Sequence, residues 1–205
     1  MKTCYIICGG PEPCRTFRIP QDVFIICADS GYDKATDAGI TPDLILGDFD
    51  SVVNTLPDNI ETMRSSTHKD DTDTMLAVRT ALERGHDDIV LVGACGGRTD
   101  HTLANIATLM FIREHGARAS IKGDSTDVYI LEDEKITLSP DLSRYLSVFA
   151  ISEKATVSIT GAGYPLDNYV MERSFPIGVS NEFIEGADCT VEVKSGLAVV
   201  MTVKK

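Results

Sequence analysis

Leu44-Ile45-Leu46-Gly47-Asp48-Phe49-Asp50-Ser51 joins an apolar run to a glycine and two closely spaced aspartates. Its first three residues are a short apolar run of the kind a buried strand shows. Gly47 permits a tight turn or close approach by a ligand. Asp48 and Asp50 follow two residues apart, so an extended backbone would turn both carboxylates to one face. Phe49 between them can anchor the loop. Paired hard oxygen donors suit Mg²⁺, which takes one or two carboxylates together with substrate phosphates. An acidic turn in solvent has the same local composition, so the reading depends on what the neighbouring segments add.

Upstream, Val23-Phe24-Ile25-Ile26-Cys27-Ala28 is a continuous apolar run, as in strands buried on both faces of a parallel sheet. Asp29-Ser30-Gly31 follows at its carboxyl end, and residues 32–38 read as a short helix closed by Gly39. Before it, Cys4-Tyr5-Ile6-Ile7-Cys8 reads as a first strand feeding Gly9-Gly10-Pro11. Downstream comes a loop rich in Asn, Pro and Asp. Then His68-Lys69-Asp70-Asp71-Thr72-Asp73-Thr74 opens a helix to Arg84, with Met75, Leu76, Val78, Ala81 and Leu82 as its apolar face. Asp70 or Asp71 suits the N-cap, but one cap does not explain three aspartates in the cluster. Ile89-Val90-Leu91-Val92 is a fourth strand. Gly93-Ala94-Cys95-Gly96-Gly97-Arg98-Thr99-Asp100-His101 then turns into a helix over 102–114. Backbone N–H groups at a helix start and a guanidinium fork suit a phosphate; an Arg98–Asp100 ion pair is the alternative. Strand–helix alternation predicts an α/β domain with a mostly parallel sheet. In such sheets ligands bind outside the carboxyl ends of the strands, where these acidic and glycine-rich loops fall.

From about residue 119 the grammar changes. Runs at 119–122, 128–131, 135–138, 145–151, 155–159, 189–193 and 197–203 are short and β-type, with no helical period between them. Gly123-Asp124-Ser125, Ser139-Pro140-Asp141 and Lys194-Ser195-Gly196 read as turns, and 161–185 as a long loop. This predicts a small all-β domain, a sandwich or barrel. The first one or two runs are candidates to complete the sheet of the first domain. The expected division is an α/β domain over 1–124 and an all-β domain over 125–205.

Composition narrows the function. The chain has 205 residues and a formal net charge of −12. No basic stripe is available to neutralise phosphates, which argues against a nucleic-acid partner. Six cysteines form no C-x-x-C pair and read as small buried hydrophobes in a reducing compartment. The four histidines do not pair with them at zinc-ligand spacing. Met1-Lys2-Thr3 leads straight into a strand, and no apolar run approaches the roughly 20 residues of a membrane span. A cytoplasmic protein with no membrane partner is expected.

The ordered set is specific where its parts are not. Ala28-Asp29-Ser30-Gly31, Pro42-Asp43 with Gly47-Asp48-Phe49-Asp50-Ser51, Asp70-Asp71-Thr72-Asp73, Gly96-Gly97-Arg98-Thr99-Asp100-His101 and Ser180-Asn181-Glu182 resemble thiamine pyrophosphokinases in order and spacing over nearly the whole chain. The family's first loop commonly reads A-D-G-G, where this chain has Ser30.

The resemblance implies an N-terminal α/β catalytic domain that binds ATP and Mg²⁺, and a C-terminal β-sandwich that binds thiamine. It implies a homodimer with active sites built between the catalytic domain of one subunit and the sandwich of the other. The reaction it implies is pyrophosphoryl transfer from ATP to the thiamine hydroxyl, giving AMP and thiamine diphosphate. Asp48, Asp50 and Asp73 are the implied Mg²⁺ ligands, with Asp29 and Asp100 in the same acidic centre. Asp29, Asp70, Thr72 and Arg98 are implied at the nucleotide, Arg98 also stabilising charge on the transferring or leaving group. Ser180 and Asn181 match the thiamine-contacting loop, while no motif places an aromatic over the thiamine rings. Three alternatives stay open: a diphosphokinase acting on another hydroxymethyl heterocycle such as a pterin, a non-catalytic thiamine or nucleotide sensor, and a Mg²⁺-dependent phosphate-ester hydrolase.

Overall fold

The computed structural model describes residues 1–12, 18–65 and 71–205. The chain forms two compact units, Met1–Asp124 and Ser125–Lys205.

In the first unit the apolar runs become strands β1 (Thr3–Ile7), β2 (Phe24–Ala28), β3 (Leu44–Gly47), β4 (Glu61–Arg64), β5 (Asp88–Val92) and β6 (Arg118–Lys122). They pair in parallel in the order β6-β5-β1-β2-β3-β4. Between them lie α1 (Gly31–Asp37), α2 (Asp73–Glu83) and α3 (Thr99–Glu114). The register lines up Ile7, Cys27 and Ile45 on one face of the sheet, packed with Tyr32 and Ala35 of α1. Strand alternation sends Ile6, Ile26 and Leu44 to the other face, and all three are fully buried. Ala77, Val78 and Ala81 of α2 and Leu109 and Ile112 of α3 are buried as well. β1 has β2 on one side and β5 on the other, so the strand order reverses at β1. A crevice forms at such a switch point, outside the carboxyl ends of the strands.

Several boundaries differ from the sequence reading. β4 was not expected: Glu61-Thr62-Met63-Arg64 has no apolar run, and all four residues are exposed. It is an edge strand, defined by pairing with β3 rather than by burial. The N-cap of α2 is Thr72, whose hydroxyl accepts from the Met75 N–H, not Asp70 or Asp71. α3 starts at Thr99, three residues earlier than expected.

The second unit contains β7 (Thr126–Leu138), β8 (Arg144–Ala150), β9 (Lys154–Thr160), β10 (Leu166–Glu172), β11 (Asn181–Glu182) and β12 (Cys189–Lys204), antiparallel in every pairing named below. Two pairs of predicted short strands are each one long strand. Lys194-Ser195-Gly196 is not a turn between strands but a bulge within β12. The pairing jumps there from Val193↔Glu134 to Leu197↔Glu132, opposite Asp133 at φ +49°. The glycine at 196, φ +79°, packs where a Cβ would overlap the Lys154 carbonyl oxygen. The bulge changes β12's partners: its first half pairs with β9 and its second with β8. β10 adds to β9 and β11 to β8. Leu146 and Val148 of β8 pack in one core with Val157, Ile159, Val191 and Val200. This is a sandwich, one of the two forms the short apolar runs left open and the one the resemblance implied, since strands switch sheets at such bends. The expected loop over 161–185 contains β10 and β11.

Candidate active site

The acidic and glycine-rich loops of the first unit leave the carboxyl ends of β1, β2, β3 and β5, which are neighbours in the sheet. Along this edge the backbone packs closely. A Cβ on Gly10 would overlap the Gly93 carbonyl oxygen, and one on Gly31 would overlap the Ile7 carbonyl oxygen. Ser30, where the family pattern commonly has glycine, lays its hydroxyl over Gly9.

Asp29 follows β2 and reaches the loop after β3. Its N–H donates to the Leu46 carbonyl at 2.7 Å, and its backbone is left-handed, φ +47°. The glycine at 47 leaves room for it: a Cβ there would sit 3.1–3.2 Å from the Asp29 backbone and side chain. Asp29 Oδ2 accepts a short hydrogen bond from the Ser51 hydroxyl. Asp29 Oδ1 is buried and has no hydrogen-bond partner among the described residues.

The adjacent loop is not extended. Phe49 has φ +66°, a conformation costly for a bulky L-residue. Its ring packs with the α1-side core and lies 5.2 Å from the Arg64 guanidinium. The Asp50 N–H donates to Asp48 Oδ1 at 3.1 Å, closing an Asx turn. The same-face argument for Asp48 and Asp50 therefore does not hold; a turn, not a strand pleat, sets their relation. Asp33, which the sequence reading missed, ties this loop to α1. Its carboxylate accepts from the Val53 N–H (2.9 Å), the Asn54 N–H (2.8 Å) and the Asn54 side-chain amide (2.7 Å). No local pattern marks Asp33, because its partners lie 20 or more residues away.

Asp73 is the first residue of α2, where the helix dipole favours a carboxylate. Thr74 Oγ1 lies 3.8 Å from Cys8 Sγ, so this helix start sits beside the end of β1. Asp71 pairs with Arg79 at 2.9 Å; Asp70 lies outside the described residues. Arg98 and Asp100 pair with each other, Nε to Oδ1 at 3.1 Å and Nη2 to Oδ2 at 2.6 Å, with side chains 71% and 66% exposed. The guanidinium, helped by the His101 N–H, pulls the Asp100 carboxyl down to about 2. The ion-pair reading of these two residues is thus realised in this structure. Among the described residues, no three acidic, histidine or cysteine side chains stand close enough to hold a metal ion by themselves.

Ser180 and Asn181 belong to the second unit. Asn181 lines a cavity of about 300 Å³ with Tyr164, Leu166, Met171, Ile177 and Val179 among others, and Ser180 stands between the lining residues Val179 and Asn181 without lining it itself. Ser180 is left-handed, φ +58°. Tyr164, on the rim, is 68% exposed. The cavity is apolar with few polar groups, as small-molecule sites are.

A parallel α/β unit with acidic and glycine-rich loops at its carboxyl edge, followed by a β-sandwich with its own pocket, is the build of a two-part enzyme acting on small molecules. The family pattern described as "Thiamin pyrophosphokinase, catalytic domain" matches residues 19–121. The one described as "Thiamin pyrophosphokinase, vitamin B1 binding domain" matches residues 133–198. A Bacillus subtilis protein named thiamine pyrophosphokinase is 33% identical over 198 residues, spanning 90% of this chain and 91% of that one. The crystal structure of thiamine pyrophosphokinase from Bacillus subtilis matches with a TM-score of 0.88 at 28% identity, covering both chains fully. That of thiamin pyrophosphokinase from Geobacillus thermodenitrificans matches with 0.82 at 27% identity, covering 99% and 98%. The chain belongs to the thiamin pyrophosphokinase family of enzymes.

Proposed function

We propose that this protein transfers the pyrophosphoryl group of ATP to the hydroxyl of thiamine. The hydroxyl oxygen bonds to the β-phosphorus, the bond from that phosphorus to the α–β bridging oxygen breaks, and AMP leaves. A carboxylate of the loop cluster takes the hydroxyl proton. The observation that carries this reading is Asp29 Oδ1, a buried carboxylate oxygen without a donor among the described residues, beside the Asp48-Phe49-Asp50 turn. Such an oxygen is costly unless a cation satisfies it.

Mg²⁺ fits this donor set. It commonly uses one or two carboxylates and completes its shell with water and phosphate oxygens, so a three-residue protein cage is not required. Asp48, Asp50 and Asp73 are proposed to hold it, with Asp29 and Asp100 in the same acidic centre. When bound, the ion neutralises charge on the phosphates. The chain itself positions and orients. Asp70, Thr72 and Arg98 are assigned to the nucleotide, with Asp100 orienting the Arg98 fork. The first unit is the catalytic part and the second binds thiamine, its pocket lying beside Ser180.

Two further expectations accompany the reaction. The protein is assigned to the cytoplasm; its described cysteines are all buried, as suits thiols kept reduced. It is assigned as a homodimer. Seven exposed apolar residues fall in one stretch of the second unit: Tyr164, Tyr169, Val170, Phe175, Ile177, Val179 and Ile184. Exposed apolar side chains of this kind favour a self-contact.

The test is a product assay with purified protein, ATP, Mg²⁺ and thiamine. AMP and thiamine diphosphate are expected one-to-one, with loss on chelation. ADP with thiamine monophosphate would overturn attack at the β-phosphorus. Free phosphate would indicate a hydrolase, and saturable thiamine binding without AMP a sensor. Turnover of a hydroxymethylpterin in preference to thiamine would move the substrate.

A further inference from the structure

Asn181 is only 7% exposed, and its side-chain amide is committed almost wholly to the chain around it. Oδ1 accepts from the Tyr164 N–H at 2.9 Å and the Glu182 N–H at 2.8 Å, and Nδ2 donates to the Tyr164 carbonyl at 2.8 Å. An amide has two acceptor lone pairs and two N–H donors. Both lone pairs and one donor are used, so Asn181 can give a ligand no more than one N–H. Its bonds clamp the Gly163-Tyr164 corner, which the Gly163 N–H to Glu182 carbonyl bond at 2.8 Å and the Ala162–Phe183 bridge extend.

Ser147, on β8, does the matching work on the other side of the rim. It is 6% exposed, and its Oγ accepts from the Ser180 N–H at 3.1 Å. Ser180 is left-handed, a conformation that costs a non-glycine residue free energy and needs outside support. One residue along β8, the Val148 N–H donates to the Gly178 carbonyl at 2.8 Å. Residue 178 has no room for a side chain, because a Cβ there would overlap the Val148 carbonyl oxygen. The rim segment is therefore tied to β8 at 178 and 180, and to the Tyr164 corner at 181–183.

We infer that Ser147 and Asn181 are positioning residues that hold Ser180 and Tyr164 in place around the β-unit pocket. The groups left to meet a ligand at the pocket wall are the Tyr164 ring and at most one Asn181 N–H, with the exposed Ser180 side chain next to that wall. Such a rim suits a flat heterocycle with an acceptor at its edge. The identity of that ligand as thiamine rests on the function proposed above.

The test pairs steady-state kinetics with amide hydrogen exchange. Wild-type turnover of thiamine comes first; its absence sinks the thiamine reading and leaves the clamp to be judged by exchange alone. In active protein, Ser147→Ala should raise the thiamine KM roughly threefold to tenfold, the range one net hydrogen bond supplies. The kcat and the ATP KM should stay within about twofold, and Ser147→Thr, which keeps the oxygen, should restore thiamine affinity. An unchanged thiamine KM in folded Ser147→Ala, or equal losses toward ATP and thiamine, overturns the role of Ser147. In ligand-free Asn181→Ala the Tyr164 and Glu182 amides should exchange at least tenfold faster than in wild type. A residue that only touched ligand would leave that exchange unchanged, and such a result overturns the clamp.

Discussion

Asp50 is exposed and packs against nothing in the core, so its carboxylate can be neutralised without cost to the fold. Asp50→Asn should keep the wild-type melting temperature and lose more than nine-tenths of kcat/KM, over about 1.4 kcal/mol of barrier. A variant retaining more than a tenth of the activity removes Asp50 from the metal site. Asp29 should behave differently, because one of its oxygens is buried without a partner among the described residues. Asp29→Asn removes the carboxylate charge and should abolish turnover while the protein still unfolds cooperatively in urea. Mg²⁺ with a non-hydrolysable ATP analogue should raise the melting temperature of wild type and not of this variant. At this scale the sequence marked candidate side chains, because glycines and carboxylates at strand ends form local patterns. It did not show how they are held. Phe49's left-handed turn, the Asp33 ties to 53 and 54, and the Ser147–Ser180 bond join residues with no shared motif, and the last spans 33 positions.

Among the elements, the close approach of α1 to β1 is the sharpest constraint. Gly31→Ala drives a Cβ into the Ile7 carbonyl oxygen, backbone against backbone. It should cost more than about 2 kcal/mol. Gly39→Ala, also near α1, meets open space and carries only the positive-φ penalty, φ +70°, so about 1–2 kcal/mol is expected. Urea denaturation of the two variants separates packing from backbone strain, and equal losses would refute the packing argument. The buried strands were legible because their apolar runs are continuous. β4 was not, since an exposed edge strand has no burial signature. The single strands β7 and β12 were read as two each, because polar residues at 132–134 and 194–196 look alike whether they turn a chain or bulge it.

For the whole molecule, His86 offers a stability switch at the end of the sheet away from the acidic loops. It stacks on Phe24 and is buried, with Nδ1 lacking a partner among the described residues. Burial first, then the charges of Lys2 and Arg84, push its pKa below the usual value. The unfolded chain therefore binds the proton more readily. This contribution to stability is complete above about pH 6.5 and is lost as pH falls toward the folded pKa. The melting temperature should drop between about pH 7.5 and about pH 5.5, and less steeply in His86→Phe; equal slopes would exclude His86. Light scattering tests the homodimer, and a monomer at micromolar concentration would remove it. The strand that bends through both layers of the sandwich has a consequence for synthesis. β12 pairs with β7, β8 and β9, yet follows all three in the chain. A ribosome exposes those three strands before their common partner exists, so they wait with open edges, the state most exposed to aggregation. The six parallel strands all lie within residues 1–124. Translation that stalls between the two units should release a folded first half, whereas a stall just short of 189 should release a chain that depends on chaperones.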